Sequence, residues 1–251
     1  MLATAPNRVR RAVLVSAGAF LLFGCGSDPG EPSEPPSGSE AVTFAARDGV
    51  TLEGRLFGGG TTGVVLSHML PADQRSWFDY AERLAGQGYL VLTYNFRGFC
   101  PGGDAGCSQG ERDISAVWQD VLGASDLLRM RGATTVVLVG ASVGGTASLV
   151  AGAEEPAGAE VIVTLSAPTS IQGLVADASL LQRVSANKLF VAGVGDAAAA
   201  ASAEELYATA PPPKRVEIVP ADDHGTDLLT GPQGEVVGRL IETYLAQFAP
   251  A

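Results

Sequence analysis

The chain has 251 residues, 46% of them hydrophobic and 17% charged, enough for one sizeable domain with a full apolar core. A formal net charge of −11 argues against nucleic acid and anionic lipid headgroups as partners, because both need a basic face. Acidity of this kind supports solubility and leaves the substrate open.

In chain order, the first segment reads as a targeting sequence. Arg8, Arg10 and Arg11 form a positive head, and Ala12–Phe23 is an apolar run. That run is shorter than the ~20 residues a spanning helix needs and suits a signal peptide. It closes in Leu22-Phe23-Gly24-Cys25, which resembles the bacterial lipobox; the resemblance implies lipid attachment at Cys25. An ordinary secretory signal with an incidental cysteine is the alternative. Gly26–Ser39 is rich in Pro, Ser and Gly and cannot bury a core, so it reads as a tether. The expected organisation is a signal peptide at 1–24, a tether at 25–40 and a domain at 41–251. The expected location is the extracytoplasmic face of a bacterial cell envelope, held by the lipid on Cys25.

Within the domain, Val42–Ala46 and Val50–Phe57 flank the turn signal Arg47-Asp48-Gly49 and predict a hairpin. Gly63–Ser67 predicts a buried strand, Asp73–Gln87 a helix and Tyr89–Tyr94 another buried strand. Glu111–Arg131 has an approximate apolar stripe and predicts a long amphipathic helix. Thr134–Val139 is a strand, followed by a helix of small residues over Val143–Ala153. Glu160–Leu165, Lys188–Ala192 and Arg215–Val219 are further strands, and Ala198–Thr209 and Gly234–Phe248 are the helices beside the last two. Alternating short strands and helices predict an α/β fold, with a mainly parallel eight-stranded sheet covered on both faces. Only Ser166–Asn187 lies where a lid would be inserted, so a minimal lid and an open site are expected.

The junction at Gly140-Ala141-Ser142-Val143-Gly144-Gly145 is the most informative feature. A serine between glycines, one residue past a buried strand, is a nucleophile-elbow pattern. A nucleotide-binding turn is the competing reading, and the glycine and Lys-Ser/Thr spacing it needs is missing. Downstream stand Asp196, after a strand ending in glycines, and His224. Nucleophile, acid and base then follow in the order Ser, Asp, His. Ser142, Asp196, His224 and His68 all fall beyond the carboxyl ends of strands, where ligands bind in such sheets. Asp222, Asp223, Glu204 and Glu205 are rivals for the acid. The two neighbours of His224 reach its far ring nitrogen poorly.

Four blocks together carry a family resemblance: Leu66-Ser67-His68-Met69, Asn95-Phe96-Arg97-Gly98, the Ser142 elbow, and Asp196 with His224-Gly225. From Val42 onward the chain resembles an α/β-hydrolase of the dienelactone-hydrolase-like group. That group carries cysteine as nucleophile; Ser142 here implies serine-ester chemistry instead. The resemblance implies Ser142 as nucleophile, His224 as general base and Asp196 as the acid that orients it. The backbone N–H groups of Met69 and Val143 are expected to form the oxyanion hole. His68 is expected to orient its loop, and Arg97 to serve as a structural ion pair or brace rather than bind a substrate carboxylate.

The implied activity is hydrolysis of a carboxylic ester through an acyl-enzyme on Ser142. Acyl transfer, peptide cleavage, and a non-catalytic envelope lipoprotein with a hydrolase fold are the alternatives. The expected partners are a small-molecule ester and the membrane through Cys25, with no nucleic acid and no obligate protein partner. No cofactor and no metal are expected. Export favours a disulfide between Cys100 and Cys107 across a turn-rich loop; free thiols or a metal pair are the competing readings.

Overall fold

Three strands, Thr62–Ser67, Leu90–Tyr94 and Val161–Leu165, have every residue buried, as strands covered on both faces require. They belong to a computed structural model that describes residues 1–2, 36–154 and 158–251. Residues 3–24 of the expected signal peptide, the lipidation at Cys25 and residues 25–35 of the tether lie outside the described residues. Among the described residues no helix is long and apolar enough to cross a membrane.

In chain order the elements are β1 (Glu40–Ala45), β2 (Thr51–Gly58), β3 (Thr62–Ser67), α1 (Phe78–Ala85), β4 (Leu90–Tyr94) and α2 (Val117–Met130). Then come β5 (Thr135–Ala141), α3 (Val143–Glu154), β6 (Val161–Leu165), a two-residue hairpin of β7 (Ser170–Ile171) and β8 (Leu174–Val175), and α4 (Ala178–Leu181). β9 (Asn187–Gly193), α5 (Ala197–Thr209), β10 (Lys214–Val219), α6 (Asp227–Thr230) and α7 (Gly234–Phe248) complete the chain. Eight strands form one sheet in the order β1-β2-β4-β3-β5-β6-β9-β10. β2 runs antiparallel to β1 and β4, and every pairing from β4 to β10 is parallel.

Strand alternation divides the core. Val65, Val136 and Leu138 face one apolar cluster with α2, α3 and α5, whereas Val64, Leu66, Val137 and Val139 face a second with α1 and α7. Complete burial of each such side chain contributes about 1.5–3 kcal/mol. The sheet therefore carries helices on both faces, and the loops that leave β3, β5, β6, β9 and β10 gather at one edge.

Two helices start later than their apolar patterns suggest, and in both an aspartate is responsible. Asp73 accepts the Arg75 N–H at 2.9 Å and opens a 3-10 turn over Gln74–Trp77, so α1 begins only at Phe78. Asp113 accepts the Ser115 N–H at 3.0 Å and opens a 3-10 turn over Ile114–Ala116, so α2 begins at Val117 rather than near Glu111. Periodicity locates a buried face; the capping carboxylate sets where the helix starts. The insertion between β6 and β9 consists of the β7–β8 hairpin and the single turn of α4.

Candidate active site

Sheet register brings distant residues together. β3 and β5 pair Ser67 with Gly140, so two residues further along Met69 and Ser142 leave adjacent parallel strands together. β5 and β6 pair Ala141 with Leu165, and the Ser142 N–H donates to the Leu165 carbonyl at 2.7 Å.

Ser142 stands in the left-handed region at φ +49°, a conformation costing a non-glycine residue about 1–2 kcal/mol. The turn is tight enough that a Cβ on Gly140 would overlap the Gly144 carbonyl, and one on Gly144 would lie 2.7 Å from the His68 carbonyl oxygen. Neither position accepts a side chain without moving backbone. The Ser142 carbonyl accepts the N–H groups of Gly145 and Thr146 at 2.9 and 3.2 Å, which launches α3 from the elbow.

His224 lies on the loop after β10, and its Nδ1 faces Asp196 Oδ2 at 2.5 Å. Asp196 follows β9, and its Oδ1 also accepts the Ala199 N–H at 3.3 Å as the N-cap of α5. One carboxylate thus caps a helix and holds an imidazole. Of the rival acids, Asp222 and Asp223 turn toward Gly195 and Gly231. His224 keeps 44% of its side-chain surface exposed. Among the described residues no hydrogen bond joins Ser142 Oγ to His224, and neither the Met69 nor the Val143 N–H donates to another backbone group.

His68 is fully buried and satisfied at both ring nitrogens. Nε2 accepts the Phe96 N–H at 3.1 Å, so Nδ1 carries the proton and donates to the Met69 carbonyl at 2.8 Å. Phe96 and Phe99 enclose the ring at centroid distances of 4.0 and 5.1 Å. Burial pushes its pKa down to about 4, so the ring is neutral at physiological pH and braces the Met69 loop.

Arg97 is likewise occupied within the protein. Its Nη2 reaches buried Asp120 at 2.6 Å, and its Nη1 reaches Asp48 at 2.7 Å, tying the β1–β2 turn to α2. Both acids belong to the chain, so the guanidinium is a brace. Cys100 and Cys107 are joined by a disulfide, and the loop they close offers the Ala105 carbonyl to Gln74 Nε2 at 2.5 Å and to Asn95 Nδ2. Among the described residues no group of three or more His, Cys, Asp or Glu is arranged to hold a metal ion.

Ser166 escaped the sequence reading, which assigned it to the start of the lid. It leaves β6 beside Ser142, is 1% exposed, and its Oγ accepts the Gly225 N–H at 3.0 Å. Its only signal in the sequence is a polar residue ending an apolar strand.

A hydroxyl at a strained strand–helix turn and a carboxylate-bound imidazole at the same sheet edge define an α/β-hydrolase. Residues 62–219 match the family model described as serine aminopeptidase S33, within the hydrolases, and the chain belongs to that family. No curated protein matches the sequence. Among solved structures, the chain is similar to a dienelactone hydrolase from Anabaena variabilis, 23% identical over 84% of this chain and 97% of that one, with a TM-score of 0.68. It is also similar to an esterase from Pyrococcus furiosus, 16% identical over 84% and 91%, TM-score 0.68. A thermophilic esterase from Thermogutta terrifontis is 18% identical over 83% and 98%, TM-score 0.66.

Proposed function

We propose that the protein is a serine hydrolase that cleaves a carboxylic ester through an acyl-enzyme on Ser142. The observation that carries this reading is the His224 Nδ1–Asp196 Oδ2 contact of 2.5 Å, at the sheet edge where Ser142 adopts its left-handed turn. With the Nδ1 proton directed at Asp196, Nε2 keeps its lone pair and serves as the base. Ser142 Oγ attacks the ester carbonyl carbon and gives its proton to His224 Nε2. The resulting oxyanion accepts the N–H groups of Met69 and Val143, and it collapses as His224 returns the proton to the departing alkoxide. Water, deprotonated by His224, then attacks the acyl-serine and releases the acid.

Labelling with a fluorophosphonate, together with turnover of a p-nitrophenyl ester, tests the reading. A wild-type protein that takes no label and hydrolyses no ester overturns it. Peptide cleavage is the second reading, favoured by the aminopeptidase in the family's description, and an aminoacyl p-nitroanilide assayed alongside the ester separates the two.

The same proposal includes export and lipid anchoring at Cys25, supported by the Arg8–Arg11 head, the Ala12–Phe23 run and Leu22-Phe23-Gly24-Cys25. Loss of membrane fractionation in Cys25→Ala supports it; unchanged fractionation overturns it.

A further inference from the structure

The register that pairs Ala141 with Leu165 sets two serines side by side where β5 and β6 end, Ser142 and Ser166. Both are left-handed, at φ +49° and +54°. At Ser142 the elbow accounts for the strain. At Ser166 no helix follows, and glycine would adopt the same backbone at no steric cost.

What glycine lacks is the hydroxyl. Ser166 Oγ accepts the N–H of Gly225, the residue after His224, at 3.0 Å, and both residues are buried. Without that acceptor a buried backbone donor is left unpaired. The Ser166 N–H meanwhile donates to the Val191 carbonyl at 2.8 Å, and the carbonyl of Leu165 accepts the Ser142 N–H at 2.7 Å. Two consecutive residues therefore hold the Ser142 backbone and the His224-Gly225 peptide at once. Gly225 is itself left-handed at φ +59°, and a Cβ there would lie 2.6 Å from Met69 Sδ and 3.4 Å from Ala141 Cβ. The loop is seated between the residue that precedes Ser142 and the residue proposed for the oxyanion hole.

We infer that Ser166 is a positioning residue that sets His224 relative to Ser142, an inference resting on the serine-hydrolase reading above. The Asp196 bond fixes the ring's orientation at Nδ1. The Ser166 bond fixes where the loop carrying the ring sits over the strand ends. Because a misplacement of about 1 Å is worth up to about 100-fold in rate, the hydroxyl acts on chemistry rather than on binding.

The test uses Ser166→Gly and Ser166→Ala in the full chain, with p-nitrophenyl ester kinetics, fluorophosphonate labelling rates and melting temperatures. The expected result is a fall in kcat and in labelling rate of about tenfold or more, with KM held within about twofold. Ser166→Gly is expected to keep its melting temperature, since relief of strain offsets the lost hydrogen bond. Wild-type kcat and labelling rate in both variants overturn the inference. So does a kcat loss that follows the loss of folded protein in both variants, which marks a structural role alone. A wild-type protein that neither labels nor turns over ester overturns the underlying serine-hydrolase reading; a labelled wild type with indifferent variants overturns only the role of Ser166.

Discussion

Asp196 and His224 are joined through one carboxylate oxygen only: Oδ2 lies 2.5 Å from the ring, while Oδ1 caps α5 through the Ala199 N–H at 3.3 Å. The division separates two contributions that one mutation would otherwise confound. Asn is as good an N-cap as Asp, and Ala is not. Asp196→Asn is therefore expected to keep the melting temperature while kcat for an aryl ester falls on the order of 10³–10⁴-fold, as expected when the imidazole loses its orienting charge. Asp196→Ala is expected to lose comparable activity and a further ~1 kcal/mol of stability. Urea unfolding of both variants beside ester kinetics checks the pair.

Ser142 is strained for a reason that stability measurements expose. Ser142→Gly removes the left-handed penalty and is expected to raise stability by about 1 kcal/mol while abolishing turnover. Ser142→Ala is expected to abolish turnover without that gain. Equal midpoints for Ser142→Gly and wild type in chemical denaturation would count against the strain.

His68 links stability to pH. Its pKa is about 4 when folded against 6.5 for the free side chain, so the unfolded chain binds the extra proton between those values. Stability from this group is complete above pH ~6.5 and is lost as the pH falls toward 4, amounting to about 2 kcal/mol by pH 5. The chain has only two histidines, so NMR titration of the folded protein resolves them. A His68 ring that protonates near pH 6.5 in the folded state contradicts the prediction.

Asp120 is fully buried against Arg97, and its charge is compensated there by three hydrogen bonds from that residue. Asp120→Ala leaves the guanidinium half-paired in the interior and is expected to cost about 3–5 kcal/mol. Ester turnover by the protein that remains folded is expected to stay within about threefold of wild type, since Arg97 serves the fold and not the substrate. Denaturation midpoints and active-site titration measure the two effects separately.

Much of the fold was legible because burial writes itself into the chain. Uninterrupted apolar runs such as Val136–Val139 admit few readings other than a strand covered on both faces, and α7 falls on the expected bounds, Gly234–Phe248. Helix starts were less legible. Asp73 and Asp113 act through one hydrogen bond each, a local signal weaker than the stripe it interrupts. At the site, the glycines around Ser142 and the glycines ahead of Asp196 marked positions where the backbone turns tightly, and such turns are visible in sequence.

The sequence by itself determined the sheet-and-helix order, the elbow at Ser142, and the small set of residues able to face it. Tertiary structure alone decided that Asp196, the expected acid, reaches His224 through one oxygen while capping α5 with the other, that His68 is buried and neutral, and that Ser166 Oγ accepts the Gly225 N–H. The physical reason is that strand register is a long-range property. Pairing Ala141 with Leu165 and Val219 with Gly193 juxtaposes residues far apart in the chain, and no local pattern encodes which partner a hydroxyl or a backbone N–H finds.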